Sequence, residues 1–341
     1  MRRSLPPAAL ALLCGTAALA AGCSGASGPA AGIPGALAPS SIAKTTSFAS
    51  HDGMLVPREL MLPSIQGHIK PGWLSPLAKA AKNVLYVADQ PSGAVYIYDQ
   101  KGSDQAPIGS ITDGISGVDG LYVDAHKTLY ACNFGGGTVT VYPAGSTSPS
   151  ETLTGAGSPI DVAVAKTGTV YVANFNEGTN GTVLVYPKGQ TTPTSTLVTY
   201  GSGAFPEGMT VDSKGDLYVA FNDGTGQVEE FASGSGSGTN LGIHVGYVGG
   251  LTMDKSGDLL LVDQNVPAVD VFPPGATSPS QQIEGFKLGF DVAINKKNTD
   301  IYVSDGFNPP SVYEISYPAG SVVDTITNSL RGPYGLATSP D

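Results

Sequence analysis

Four acidic residues stand at one place in a phrase that recurs along this chain. Asp119 lies in VDGLYVD, Asp161 in IDVAVA, Glu207 in PEGMTVD and Asp291 in FDVAIN, each just ahead of a short apolar run. The corresponding places in GGLTMD and YGLATS hold Gly249-Gly250 and Tyr334-Gly335. A second set closes a different apolar run: Asp89, Asn133, Asn174, Phe221, Asp263 and Asp305. Hard cations such as Ca2+ are held by carboxylate and carbonyl oxygens, so Asp119, Asp161, Glu207 and Asp291 are candidate metal ligands. With the Asp and Asn of the second set they are also candidate ligand-binding residues. Each set has a second reading. Asp or Asn after a strand caps the next turn by accepting backbone N–H groups. A carboxylate entering a crowded strand costs free energy unless it is hydrated, hydrogen-bonded or paired, and a water-filled channel satisfies that need as a cation would.

The elements that must position these residues follow from the repeat. One run reads LYVAD at Leu85, LYACN at Leu129, VYVAN at Val170, LYVAF at Leu217, LLLVD at Leu259 and IYVSD at Ile301, at intervals of 44, 41, 47, 42 and 42 residues. Each unit divides into four strand-sized pieces: an inner piece such as GLYVD, the LYVAD run, a third such as TVTVY, and a polar outer one such as SETLTG. The runs are about five residues long and bounded by Gly, Asn, Asp and Pro, which argues against helices. A period in the low forties with four short strands per unit predicts propeller blades. The first repeat strand is LYVAD and the last is the inner-type strand YGLATS, so the register is offset. The expected fold is all-β: a six-bladed β-propeller of four-stranded antiparallel blades, closed by pairing Tyr334–Ser339 with Leu85–Asp89.

Composition bounds the rest. The 341 residues include 46 Gly and 26 Pro, a density that suits many tight turns. Lys and Arg number 17 against 28 Asp and Glu, a net charge of −11, which leaves no electrostatic footprint for nucleic acid. The start, MRRSLPPAALALLCGTAALAAGCSG, has a charged beginning at Arg2 and Arg3 and an apolar stretch from Ala8 to Ala21, too short to span a membrane. Its end, LAAGC, resembles a bacterial lipoprotein box. The expectation is a signal peptide over 1–22, lipid on Cys23, a flexible Gly/Ala/Pro/Ser linker over 23–72 and the propeller over 73–341. The protein would then be an exported, monomeric lipoprotein of the cell envelope, periplasmic or on the outer surface. Simple cleavage, leaving a soluble exported protein, is the alternative. Cys14 falls in the signal, His51 and His68 precede the repeat, and Cys132 sits alone in LYACN, where a small buried hydrophobe is expected.

The units FPEGMTVDSKGDLYVAFN and VGGLTMDKSGDLLLVDQN resemble those of the NHL-type six-bladed propellers, over Asn83 to Asp341. The YPAG turn after the third strand resembles a variant found in bacterial exported proteins. The resemblance implies the fold, and a function among binding scaffolds, lactonases and lyases. The chain is distantly similar to the calcium-dependent gluconolactonase and regucalcin group, which holds its metal with a Glu, Asn residues and an Asp around the channel. Glu207 matches the Glu-Gly phrase, but no other inner-strand entry has Asn before Gly. A similarity to streptogramin-type lyases implies a catalytic His supported by a Glu and a metal. His126 and His244 are the propeller's histidines, and His244, in LGIHVGYVGG, is the candidate to approach Glu207. The leading reading is a membrane-anchored module that binds a small molecule or a protein. A calcium- or magnesium-assisted lactonase or lyase is the alternative.

Overall fold

The computed structural model describes residues 72–75, 78–79, 83–175, 180–233, 236–307 and 309–340. The expected signal peptide, Cys23, the linker up to residue 71, His51 and His68 lie outside the described residues. The apolar runs become strands because both of their faces are covered. Every residue of Val170–Asn174, Leu259–Asp263 and Ala268–Phe272 is buried, which explains the absence of alternation in those segments.

The strands form six antiparallel sheets arranged as the blades of a propeller. From the axis outward, blade II is Val118–Val123, Leu129–Asn133, Thr138–Tyr142 and Glu151–Leu153. Blade III is Pro159–Val164, Val170–Asn174, Asn180–Tyr186 and Ser195–Ser202. Blade IV is Phe205–Val211, Leu217–Asn222, Gly226–Phe231 and Thr239–Val245. Blade V is Val248–Met253, Leu259–Asp263, Ala268–Phe272 and Gln281–Ile283. Blade VI is Gly289–Ile294, Asp300–Asp305, Ser311–Ser316 and Val322–Ile326. Blade I joins the two ends of the repeat: the C-terminal strand Pro333–Thr338 lies inside Val84–Asp89, Ala94–Asp99 and Gly109–Ile111. Leu85 faces Thr338, Val87 faces Leu336 and Asp89 faces Pro333, the closure that the register offset predicts.

Blade I also has a fifth strand, Trp73–Leu74, opposite Ser110 and Gly109. Leu74 packs against the core beneath it, and the pair covers an otherwise open sheet edge. Two residues carry no periodicity, so the pattern could not announce them.

The aromatic residue that ends most third strands joins neighbouring blades. The Tyr98 hydroxyl donates to the Asn328 carbonyl at 2.7 Å, Tyr142 to Asp113 at 2.6 Å and Tyr186 to Thr154 at 3.1 Å. In each case the acceptor follows the outer strand of the preceding blade. Phe231 and Phe272 fill the same place in blades IV and V, fully buried and without the hydroxyl. Burying one such side chain stabilises the fold by about 1.5–3 kcal/mol.

A candidate binding site at the channel mouth

All six inner strands break register at the same end. The pairing slips between Val118 and Leu121, Val248 and Leu251, and Gly289 and Val292. It slips between Pro206 and Gly208 in blade IV, opposite Ala173 and Asn174 in blade III, and opposite Val87 and Asp89 in blade I. A bulge frees residues from the ladder and re-aims them. Here the freed or adjoining residues are Asp119, Asp161, Glu207, Gly250, Asp291 and Gly335, with Ile160, Phe290 and Tyr334, and together they line one cavity on the channel. The four carboxylates singled out by the sequence are thus brought together. The cavity leaves about 20 Å³ for the centre of a water-sized sphere, enough for a water or a small charged group.

One residue of each inner strand forms a ring beneath the mouth. From blade I to blade VI these are Gly335, Gly120, Asp161, Gly208, Gly250 and Asp291, so the two Asp lie across from each other and each stands between two glycines. The strands are too close for more. A Cβ on Gly208 would come within 2.5 Å of the Leu251 nitrogen, and one on Gly335 would overlap the Asp119 carbonyl. Asp161 and Asp291 make the same two bonds. Oδ1 of Asp161 accepts the Val162 N–H at 2.8 Å, and Oδ2 accepts the Met209 N–H of the next blade at 2.6 Å. Oδ1 of Asp291 accepts the Val292 N–H at 2.8 Å, and Oδ2 accepts the Leu336 N–H of the closing strand at 2.7 Å. Each carboxylate therefore bridges two blades.

The electrostatics are those of like charges in a narrow, poorly solvated space. Burial raises the Asp161 pKa well above the carboxylate range, and the Asp291 and Asp119 charges add to it against the opposing pull of the backbone N–H groups. Asp291 is pushed up to about 7, mainly by burial. Cys132 lies fully buried behind them, its thiol pKa raised by burial and then by Asp161 and Asp119, which makes it a poor nucleophile.

The second set of candidates has a different arrangement. Asp89 accepts from Ser92, Arg331 and Gly332 nitrogens at 3.1, 2.7 and 3.0 Å. Asn133 accepts from Ser116 N–H at 2.9 Å, and Asn174 from Gly157 and Ser158 at 2.9 and 2.8 Å. Asp263 holds the Asn265 N–H at 2.8 Å, while Asp305 holds Lys287, Leu288 and Phe307 at 2.8, 3.2 and 2.9 Å. These are the backbone-capping bonds of the alternative reading, and none of the five lines the cavity. In blade IV the role falls to Asn222, one place after Phe221, which accepts from Val248 N–H at 3.0 Å.

His244 lies exposed on the outer strand of blade IV, opposite Gln227, and does not line the cavity. His126 is exposed in the Asp124–Lys127 turn at the far end of the inner hairpin, its N–H held by Asp124. Among the described residues, no group of three or more His, Cys, Asp or Glu side chains is arranged to hold a metal ion. The four carboxylates line one space without converging on one point, so they do not fit the calcium centre that the resemblance implies.

Sequence reasoning passed over an aromatic rim. Phe134, Phe175, Phe205 and Tyr247 make a chain of ring contacts over blades II to V, with centroids 6.3, 4.6 and 6.4 Å apart. Phe290 and Tyr334 stack at 4.6 Å across blades VI and I. The available signal was an aromatic residue directly after Asn133 and Asn174, and two places before Glu207 and Gly249.

Comparison with known proteins agrees with this architecture. A family model for the N-terminal part of strictosidine synthase-like proteins matches residues 194–225, less than one blade. No curated protein matches the chain in sequence. Among solved structures, a chain of the nidogen/laminin complex superposes with a TM-score of 0.62 at 19% identity, over 75% of this chain and 98% of that one. A protein of unknown function from Bacteroides caccae superposes with a TM-score of 0.59 at 12% identity, over 76% of this chain and 100% of that one. The chain is a six-bladed β-propeller, and with these neighbours it shares the fold.

Proposed function

We propose that this protein is a binding module, tethered to a membrane of the cell envelope through lipid on Cys23, and that the channel mouth is its ligand-binding face. The observation that carries the reading is the set of six bulges at one end of the inner strands, which turn carboxylates and aromatic rings toward a single small cavity. Backbone bulges cost ladder hydrogen bonds, and a ring of them at one face suits a surface shaped for contact. The metal-assisted lactonase or lyase remains the second reading. Its support is the propeller fold itself and Glu207 at the mouth; the missing convergence of ligands and the distance of His244 from the cavity count against it. A screen of small polar fragments by NMR on isotopically labelled full-length protein in mild detergent tests the module reading. Perturbed amides should cluster on the loops around Asp119, Glu207 and Tyr334. Clustering on outer strands or on the hairpin face would overturn it. Replacement of Cys23 by Ala should release the protein from the membrane fraction, and unchanged attachment would remove the tether from the proposal.

A further inference from the structure

The basic side chains of the propeller are gathered on the side away from the mouth. Ten Lys and Arg lie between Asn83 and Asp341, and eight of them follow the far ends of strands. Lys127, Lys166, Lys214, Lys255, Lys296 and Lys297 stand in the hairpins that join inner to second strands in blades II to VI, and all but the half-buried Lys127 are exposed. Lys101 and Lys188 follow third strands, which end on the same side, and the Lys188 stem lies against the blade III hairpin at Gly168. Lys287 and Arg331 are on mouth loops.

The hairpins touch, so these lysines share one surface. The Lys166 Nζ donates to the Ser213 carbonyl of the next blade at 3.0 Å, and the Lys255 N–H donates to Asn298 of blade VI at 3.3 Å. Carboxylates occur in the same turns, but they are half-buried and already bonded. Asp212 accepts the Lys214, Gly215 and Asp216 N–H groups at 2.8, 2.8 and 2.9 Å. Asp124 and Asp254 hold their own turns in the same way, and Asp300 accepts from Asn295 and Thr299. Such a carboxylate is fixed at the base of its turn, whereas a lysine head reaches outward on its stem. The carboxylates offset part of the positive charge at long range, but a surface that approaches this face meets the ammonium heads first.

Two observations make an anionic membrane the partner that fits. Point charges spread over five blades suit a broad charged plane, where a small anion would engage one or two of them. Gly72, where the chain from Cys23 reaches the propeller, lies on this side as well: a Cβ there would meet Thr147 at 3.3 Å, in the turn beyond the far end of Thr138–Tyr142. Lysines within a Debye length of anionic headgroups are attracted to them. A chain with a net charge of −11 gains that attraction only when its lysine face leads and its acidic mouth points away.

We propose that the hairpin face docks on a bilayer rich in anionic phospholipid, so that the propeller stands on its lysines and presents its mouth to the surroundings. This inference rests on the tether to a membrane proposed above, and it names the face that meets that membrane.

The test places full-length protein in vesicles of phosphatidylcholine alone, or of equal parts phosphatidylcholine and phosphatidylglycerol. Acylation of each lysine by a water-soluble reagent is followed by mass spectrometry. In the anionic vesicles at low salt Lys214, Lys255 and Lys296 should react at least about threefold more slowly than in the neutral ones, and the difference should vanish at high salt. Lys287, on the mouth side, should react alike in both. Equal reactivity of the hairpin lysines would overturn the inference, and protection of Lys287 in their place would mean that the mouth faces the membrane. A second measurement removes the tether. Full-length Cys23→Ala protein should sediment with the anionic vesicles at low salt and not with the neutral ones. Replacing Lys166, Lys214, Lys255 and Lys296 by Gln in that chain should lower the bound fraction at least about tenfold. Binding that survives these four replacements would overturn the inference. If Cys23 carries no lipid yet the unlipidated chain binds anionic vesicles through these lysines, the tether falls and the docking face stands. If the chain is lipidated and its hairpin lysines react alike in both vesicles, the docking face falls and the tether stands.

Discussion

The strand entries and strand exits at the mouth carry the same kinds of side chain and use them in opposite ways. Where second strands leave, Asp89, Asn133, Asn174, Asp263 and Asp305 accept backbone N–H groups and hold the neighbouring loops. Where inner strands enter, Asp161 and Asp291 also accept backbone bonds, yet burial raises both pKa values, helped by the Asp291 and Asp119 charges at Asp161 and by the Asp119 charge at Asp291. The difference lies in the surroundings. Asp89, Asn174, Asp263 and Asp305 each meet two or three backbone donors. An entry carboxylate shares a narrow lumen with others of like charge and no lining cation. A carboxylate is thus a structural pin or a site of stored electrostatic cost according to how many donors and charges surround it.

The largest test removes a strand that serves both ends. Deleting residues 333–341 takes away the inner strand of blade I, with buried Tyr334, Leu336 and Ala337, and the Leu336 N–H that Asp291 bridges to. The expected result is loss of cooperative folding, since the whole stability of such a fold is only about 5–15 kcal/mol. An unchanged denaturant midpoint would show that the ring does not depend on this closure.

Next in size is the exit pin. Asp89→Ala strands the Ser92, Arg331 and Gly332 N–H groups and should cost about 2–4 kcal/mol by urea denaturation. Asp89→Asn keeps an acceptor oxygen, as Asn133 and Asn174 do naturally, and should cost less than half as much. Equal losses from the two would mean that charge at the exit matters more than acceptance.

A pH series separates the entries from the exits. The folded-state pKa values of Asp161 and Asp291 lie above the ordinary carboxylate value of about 4. The folded state therefore prefers these groups protonated. That contribution is complete below about pH 4 and is lost as the pH rises through about 7, the value for Asp291. The melting temperature should be higher at pH 5.5 than at pH 8, and Asp291→Asn should shrink the difference. Glu314, also pushed up to about 7 by burial, acts in the same direction and will leave a residual slope. A flat profile in the parent would mean that the throat is better solvated than its burial indicates.

The smallest effect belongs to the blade seams. Tyr142→Phe removes the hydroxyl bond to Asp113 and should cost about 1 kcal/mol. Blades IV and V already carry Phe at that place, so a much larger loss would show that the seams are not equivalent.

By itself the sequence determined the repeat, the number of blades and the closure, because each unit is a local pattern of short apolar runs and turn formers whose faces can be buried only by neighbours. It also placed Asp119, Asp161, Glu207 and Asp291 at one end of one strand type, since equivalent positions in a repeat share a location. The tertiary structure decided the chemistry of those positions. Only close packing around the axis shows that the glycines leave no room for a Cβ, that Asp161 and Asp291 bridge blades through Met209 and Leu336, and that the four carboxylates share one space without converging on a point. It also separated Asp89 and its equivalents from the lumen, because an acceptor's partners come from loops distant in sequence. His244, the sequence's candidate partner for Glu207, lies on an outer strand with three strands between it and the axis. The terminal strand Trp73–Leu74 and the aromatic rim likewise depend on contacts between segments that no local period connects.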